Sequence, residues 1–340
     1  DEYLASDLPY IRPSISFASN NLYDRKRKRN HEYKVSLNSI SRKNNKNVDS
    51  IHVKARNSKN HIYNGLLIKD FLIFNIDAYQ KNGTSNQKSL IKFFPLLGIE
   101  TQYPLIKYSN NSSFLIEPKM QFFISPDDYY NNKIRNEDSL ELDLTSSNLF
   151  NYDRYSGNDR KESGIRANYG ILIKKINKQN QSLTSSIGQT YNNNRQQLFN
   201  ESSGFKNKRS EIVGNIIYTD SMYNLSYDYR LSESFKLNRN NFTAKTSIKN
   251  LDLNLAYIQL KDFASIDNSD TEQINFGFKY NINRSWEISF NQLRDLAGAT
   301  FAFPFRTNAG IQFTNECTAF QFNYTRDRSY DVDMPATTNL

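Results

Sequence analysis

The stretch Ile274-Asn275-Phe276-Gly277-Phe278-Lys279-Tyr280-Asn281 places its apolar side chains at even positions and its polar or small ones at odd positions. Successive side chains of a strand point to opposite faces, so a period of two predicts a strand with one apolar face and one wet face. The pattern recurs along the chain. Phe320, Phe322 and Tyr324 alternate with Gln321, Asn323 and Thr325, and Leu251, Leu253 and Leu255 with Asp252, Asn254 and Ala256. Ile116, Pro118, Met120, Phe122 and Ile124 alternate with Glu117, Lys119, Gln121 and Phe123, and Tyr33, Val35 and Leu37 with Lys34, Ser36 and Asn38. Helical periodicity is nearly absent.

This reading predicts strands at about 10–19, 32–43, 51–62, 66–79, 92–107, 113–125, 164–176, 181–191, 209–218, 222–230, 238–249, 251–260, 272–281, 285–294, 301–313 and 318–327. That is roughly 16, near the size of whole porins. Alternation is patchy before residue 110.

Composition points the same way. Of 340 residues only 37% are hydrophobic, yet 14% are aromatic, with 22 Tyr and 23 Phe. Mean hydropathy is −0.73. A chain so poor in aliphatic residues suggests disorder, but disorder predicts few aromatics. A transmembrane barrel reconciles the two, with a polar lumen, an apolar lipid face and aromatic girdles at the interfaces. No apolar run approaches the ~20 residues of a membrane helix; Phe93-Phe94-Pro95-Leu96-Leu97 is far too short. Asp1-Glu2-Tyr3 does not read as a signal peptide, and the expectation is a piece of a longer precursor.

The connections carry topology. Barrels of this kind have short turns at one end and longer loops at the other. From the C-terminus backwards, Thr314–Cys317 is short, 295–300 longer, Asn283-Arg284 tight, 261–271 long, Asn250 tight and 231–237 longer. Asp220-Ser221 is then tight, 192–208 long, 177–180 short and 126–163 longest. This parity predicts an antiparallel up-and-down meander rather than a Greek key. It fails near the N-terminus, where the basic segment at 20–31 falls on the short side.

The net charge of +9 makes nucleic acid the reflex partner. The one cluster, Arg25-Lys26-Arg27-Lys28-Arg29, is too short for that, and it reads as a solvated turn. Enzyme signatures are missing: His31, His52 and His61 lack metal-ligand spacing, and no Walker A, GxSxG or HExxH pattern occurs. No residue is assigned a catalytic, cofactor or metal role. Asp153, Asp159 and Glu162 are expected to pair with Arg154, Arg160 and Arg166 and so to brace a long, ordered loop. The single cysteine, Cys317, forms no bridge within the chain.

Three stretches resemble the LptD (OstA, organic solvent tolerance) family. The first runs from Asp1-Glu2-Tyr3-Leu4 through Leu8-Pro9-Tyr10-Ile11-Arg12-Pro13. The second, and most specific, is Ser147-Asn148-Leu149-Phe150-Asn151-Tyr152-Asp153-Arg154-Tyr155-Ser156-Gly157-Asn158-Asp159-Arg160, followed by Glu162-Ser163-Gly164-Ile165-Arg166-Ala167-Asn168-Tyr169-Gly170. The third is Asn315-Glu316-Cys317 leading into Phe320-Gln321-Phe322-Asn323-Tyr324-Thr325-Arg326.

The resemblance implies an outer-membrane barrel that inserts lipopolysaccharide into the outer leaflet of a Gram-negative cell. In that family the barrel is plugged by the lipoprotein LptE, and a periplasmic β-jellyroll receives the lipid from the bridge protein LptA. The lipid leaves between the first and last strands, its sugars pass through the lumen, and no covalent chemistry occurs. On this likeness 1–340 is one barrel domain, without the jellyroll, the early strands and the last strand. Its partners are lipopolysaccharide, LptE, LptA and outer-membrane lipid, with no nucleic acid and no cofactor. Lys34, Lys119, Lys245 and Lys279, each on the polar side of its strand, are the candidates for the lipid's path. Cys317, placed where the family carries cysteines, implies a disulfide to the missing N-terminal region. The family's adjacent pair is here one cysteine, so one bridge is implied. Two alternatives stay open: a generic porin or receptor barrel, and a soluble β-rich protein presenting basic strands to acidic glycans.

Overall fold

The computed structural model describes residues 9–42, 47–82, 88–127, 136–194, 199–205, 207–261, 270–296, 306–328 and 337–339. They form one antiparallel sheet of 18 strands. In chain order these are β1 (Tyr10–Asp24), β2 (Arg29–Ser41), β3 (Asn47–Tyr63), β4 (Leu66–Asn82), β5 (Lys88–Gln102), β6 (Leu105–Tyr108), β7 (Ser112–Ile124), β8 (Ile165–Asn177) and β9 (Ser182–Asn192). There follow β10 (Ile212–Thr219), β11 (Tyr223–Leu231), β12 (Leu237–Ile248), β13 (Leu251–Leu260), β14 (Thr271–Asn281), β15 (Trp286–Asp295), β16 (Arg306–Thr314), β17 (Ala319–Asp327) and β18 (Thr337–Asn339). Neighbours in sequence are neighbours in the sheet, as a meander requires, except that β5 and β6 follow one another along β7; among the described residues β1 is not joined to β18. The predicted fold class, a partial antiparallel barrel, is what the chain forms. Among the described residues no helix is long and apolar enough to cross a membrane.

Two differences from the predicted strands have physical reasons. The strand expected at 92–107 is two, β5 and β6, both paired with β7. The break falls at Tyr103-Pro104, where proline has no N–H to give the ladder; Tyr103 N–H reaches across to Pro118 O at 3.1 Å. The parity failure near the N-terminus also disappears. Strand β1 runs to Asp24 and closes on β2 through the four-residue turn Arg25–Lys28, which is short, as its end of the sheet demands. Register shifts at Arg12/Ile15 and Ser19/Leu22 move the side-chain phase of β1. Such irregularities insert residues into one strand and erase simple alternation. The predicted start of a strand at 301 and residues 1–8 of the family-like stretch lie outside the described residues.

The two faces differ sharply. On one, Phe71, Ile73, Phe94, Leu96 and Phe123 are buried beneath the connection between β7 and β8; this is the loop side. On the other, Phe74, Ile76, Phe93, Leu97, Met120, Phe122 and Ile124 are exposed; this is the outer side. Directly opposed residues of paired strands share a face, so the faces can be traced along the ladder. Met120 opposes Tyr169, Ile171 opposes Ile187, Ile216 opposes Tyr227, Phe242 opposes Tyr257 and Leu255 opposes Phe276. The outer side is therefore apolar over much of the sheet, far beyond the patch a soluble protein exposes. Phe276, 45% exposed, lies on it, and Asn275 on the loop side. An arginine at a lipid-facing position near mid-bilayer costs about 2–4 kcal/mol and far less in a lumen. Phe276→Arg is expected to lower the yield of heat-modifiable barrel severalfold while Asn275→Arg assembles normally. Equal assembly of the two would overturn the assignment of faces.

Candidate functional site

The connection between β7 and β8 folds as a unit of its own. Leu142 N–H donates to Arg154 O at 3.0 Å and Ser156 N–H to Leu140 O at 2.9 Å, a small antiparallel hairpin. Its other strap joins Asp138 to Asn158 and Asp159. The Asp138 carboxylate accepts from the backbone N–H of both at 3.0 Å. Asp159 returns the contact, accepting from Glu137 N–H at 2.7 Å and Asp138 N–H at 3.2 Å. Gly157 makes this possible: a Cβ there would stand 2.3 Å from Asp138 O. The Ser156-Gly157-Asn158-Asp159 segment is thus a clamp built around a carboxylate twenty residues earlier.

The unit is bolted to the wall by charge. Arg154 donates to Glu162 through Nε at 2.8 Å and again through Nη2, and Arg166 of β8 meets the same carboxylate at 2.7 Å. The side chains of all three are 0–1% exposed. Arg154 continues to Thr190 Oγ1 at 2.9 Å, Thr190 to Asn168 at 2.7 Å and Asn168 to Gln121 at 3.0 Å, so the triad is tied into β7, β8 and β9. Tyr152 receives Arg166 Nη2 on its carbonyl at 2.5 Å and touches Lys54 of β3 with its hydroxyl. Tyr79 of β4 donates to Asp159 at 2.9 Å and Lys92 of β5 donates to its carbonyl at 3.2 Å. Leu144, Leu149 and Tyr155 pack with Phe199, Phe205 and Val213. Leu149 and Phe150 fit against Gly188 and Gly170, where a Cβ would stand 2.4 Å and 3.2 Å away. Ser146 reaches Asp228 of β11 at 3.2 Å, and Arg239 of β12 reaches Asp143 at 3.4 Å. One connection therefore spans the loop side from β3 to β12.

The charges in this unit are tuned by position. Burial pushes the Glu162 carboxyl up, but Arg154 and Arg166 outweigh it and hold it below the usual carboxylate range. Asp138 is also pushed up by burial, and the N–H donors of Asp159 and Asn158 bring it below its ordinary value. Asp159 goes the other way, raised by burial and then by the charge of Asp138. Asp153 is raised by burial, against the pull of Lys161 at 3.7 Å. His52, Asp138 and Asp159 bring ligand-type atoms within 4.8 Å of one another. Both ring nitrogens of His52 are engaged, by Asp77 at 2.8 Å and Ser50 at 3.0 Å. The carboxylates already accept from N–H and O–H donors, so the cluster acts as a hydrogen-bonded latch between loop and wall.

The predicted residues sort into three groups. Arg154, Glu162 and Arg166 come together as an ion triad. Asp153 meets Lys161 rather than an arginine, Asp159 meets Tyr79, and Arg160 N–H is held by Ser139 Oγ at 3.0 Å. Of the four lysines, Lys245 and Lys279 line one polar cleft of about 760 Å³ on the loop side of β12–β17, with Asn254, Asn291, Asn308 and Asn323. Lys279 there pairs with Glu287 at 2.7 Å. Lys119 is instead covered: it pairs with Glu100 at 3.3 Å and lies under the Phe150 ring. Lys34 stands apart on β2, opposite Lys54. Cys317 is exposed in the turn between β16 and β17, shaped by Asn315 Oδ1 accepting from Cys317 and Thr318 N–H. Sequence reasoning missed Tyr79, Lys92, Asp138 and Arg230. Each sits in a polar phase or a loop where its type was visible, but its partner lies tens of residues away. Arg230, for example, holds the β9–β10 connection through Glu211 at 2.6 Å and Ser203 O at 3.1 Å.

A search of curated proteins returned no match. The family model described as LptD, LPS transport system D, matches residues 5–286.

Proposed function

Since the chain belongs to the LptD family of LPS transport proteins, we propose that it is the barrel part of a translocon that inserts lipopolysaccharide into the outer leaflet of the outer membrane. The observation that carries this reading is the division of the loop side. From β3 to β12 it is occupied by the β7–β8 connection, while across β12–β17 it offers an open polar wall. Two cross-strand rows make that wall. One runs Lys245, Asn254, Gly277, Asn291, Asn308 and Thr325; the other runs Asp252, Lys279, Ser289, Gly310 and Asn323. Amides and hydroxyls exchange hydrogen bonds with sugar hydroxyls, and ammonium groups attract phosphates. The apolar outer side meets the bilayer. The long connections then face the cell exterior and the short turns the periplasm. Lipopolysaccharide is the cargo in this reading, the lipoprotein LptE fills the remaining lumen, and the bridge protein LptA delivers the lipid from the periplasm. Lys34, on the same face, belongs to the path, while Lys119 supports the β7–β8 connection.

A photocrosslinker at Lys279 is expected to trap lipopolysaccharide during transport, and one at Phe278 to trap bulk lipid. Lipopolysaccharide crosslinks at Phe278 alone would overturn the assignment of faces. Free solute permeation through the assembled protein, without any lipopolysaccharide crosslink, would make it a porin instead.

A further inference from the structure

The turn between β1 and β2 is more than a solvated connection. Arg25, Lys26, Arg27 and Lys28 are all exposed. Their backbone is fixed: the Asp24 carboxylate accepts from Lys26 N–H at 2.9 Å and Arg27 N–H at 3.2 Å, and Lys28 adopts φ 52° to close the turn. The next turn along this rim, Asn64-Gly65, carries no charge. Other short turns at this end carry at most one cation each (Lys178, Lys249 and Arg284), so positive charge is densest at Arg25–Lys28.

The outer side just above it changes character on three neighbouring strands, one row later on β4 than on β2 and β3. On β2 exposed Tyr33 gives way to His31 and Arg29, on β3 Ala55 gives way to Asn57, and on β4 Phe74 and Leu72 give way to Asp70. The polar residues form a collar. Asn57 joins His31 at 3.1 Å and Arg29 at 2.5 Å; Asp70 joins Arg29 at 2.9 Å and His61 at 2.7 Å. The Tyr33 and His31 rings lie parallel across the boundary. An apolar belt that ends in an aromatic and then a bonded polar band marks the headgroup level of a bilayer.

We propose that the Arg25–Lys28 turn and its collar bind anionic phospholipid headgroups in the leaflet at the short-turn end. The inference rests on the barrel reading above, under which that leaflet is periplasmic. Each cation at a membrane surface adds to the attraction for anionic lipid, and four on one ordered turn act together. Guanidinium groups add bidentate contacts to phosphate oxygens. Nucleic acid fits poorly, because the cationic turn is flanked by a lipid-facing belt.

The test uses the whole protein, wild type and R25Q/K26Q/R27Q/K28Q, exposed to phosphatidylethanolamine and phosphatidylglycerol in equal amounts and read by native mass spectrometry. Wild type is expected to retain phosphatidylglycerol preferentially, and the variant to lose that retention by roughly tenfold or more. A K208Q/K236Q variant, altered at the opposite end, keeps it. A heat-modifiable gel shift reports that each variant is folded. A folded quadruple variant with wild-type retention overturns the proposal. So does a preference for lipopolysaccharide over phosphatidylglycerol that depends on this turn. Failure of the wild type to insert into vesicles of either lipid would overturn the barrel reading itself, whereas insertion without anionic preference would overturn only the headgroup site.

Discussion

Glu162→Ala is expected to release the β7–β8 connection from the wall and to destabilise the folded barrel by about 3–5 kcal/mol. The carboxylate bridges Arg154 and Arg166, and all three side chains are essentially without solvent. Removing it leaves two buried guanidinium groups facing each other with no anion between them. The loss comes mostly from those orphaned charges, not from the net worth of the triad, which desolvation offsets. A triple variant, R154M/E162L/R166M, is therefore expected to recover much of the lost stability. Glu162→Gln keeps the shape and some hydrogen bonds but not the charge, so it falls between. The pH dependence has a definite sign. The folded carboxyl lies below its ordinary range, so its stabilising share is present above the unfolded value of ~4.3 and is lost as pH falls through the folded value. Urea titration followed by the heat-modifiable gel shift measures the effect. A Glu162→Ala midpoint matching wild type at neutral pH would mean that the triad does not hold the β7–β8 connection to the wall.

How much of this was legible in the sequence depends on the kind of signal. The strands were legible because alternation is local: Ile274 to Asn281 needs no knowledge of its neighbours. The direction of each face was legible for the same reason, and register then confirmed it by setting Leu255 against Phe276 and Leu253 against Phe278. Where β1 carries two register shifts, the phase slips and alternation disappears although the strand remains. Phe123 misled in another way. It stands in the polar phase of β7, and it is fully buried because the Arg166 guanidinium and the neighbouring ring of Phe71 cover it. A lumen face is polar only where water meets it. The candidate site was half legible. The density of Asp and Arg between 153 and 166 announced ion pairs, but charge type cannot choose partners in a loop with no period. Glu162 between two arginines was within reach of that reasoning. The Asp138 clamp was not, since it needs Gly157 to be folded against a residue nineteen positions earlier. The same limit separates Lys119 from Lys279: each occupies the polar phase of its strand, and only the fold shows one beneath Phe150 and the other in an open cleft.

Loss of Cys317 is the second change expected to have a large effect, and the one that reaches beyond this sheet. Cys317 is exposed at the short-turn end, in a turn whose Asn315 carboxamide binds the N–H groups of Cys317 and Thr318. The turn's shape is therefore independent of the sulfur, and a serine there should leave the sheet intact. The exposed thiol is well placed for an external partner. Family membership supplies the partner as a proposal: a cysteine in the N-terminal jellyroll of the full-length protein. An oxidising periplasm would hold such a bridge closed. Cross-linking points so far apart in the chain removes about 4–5 kcal/mol of loop entropy from the unfolded state in the chain-entropy treatment. Its larger consequence is alignment, because a jellyroll fixed to the β16–β17 turn would hand its lipid to the wall that carries Lys245 and Lys279. Cys317→Ser in the full-length protein is expected to migrate differently from wild type on a non-reducing gel, and identically once both are reduced. Lipopolysaccharide crosslinking at Lys279 should fall with it while the barrel's own gel shift persists. If the two proteins migrate alike without reductant, and the wild-type thiol is alkylated directly, there is no bridge and the two parts are aligned by packing alone.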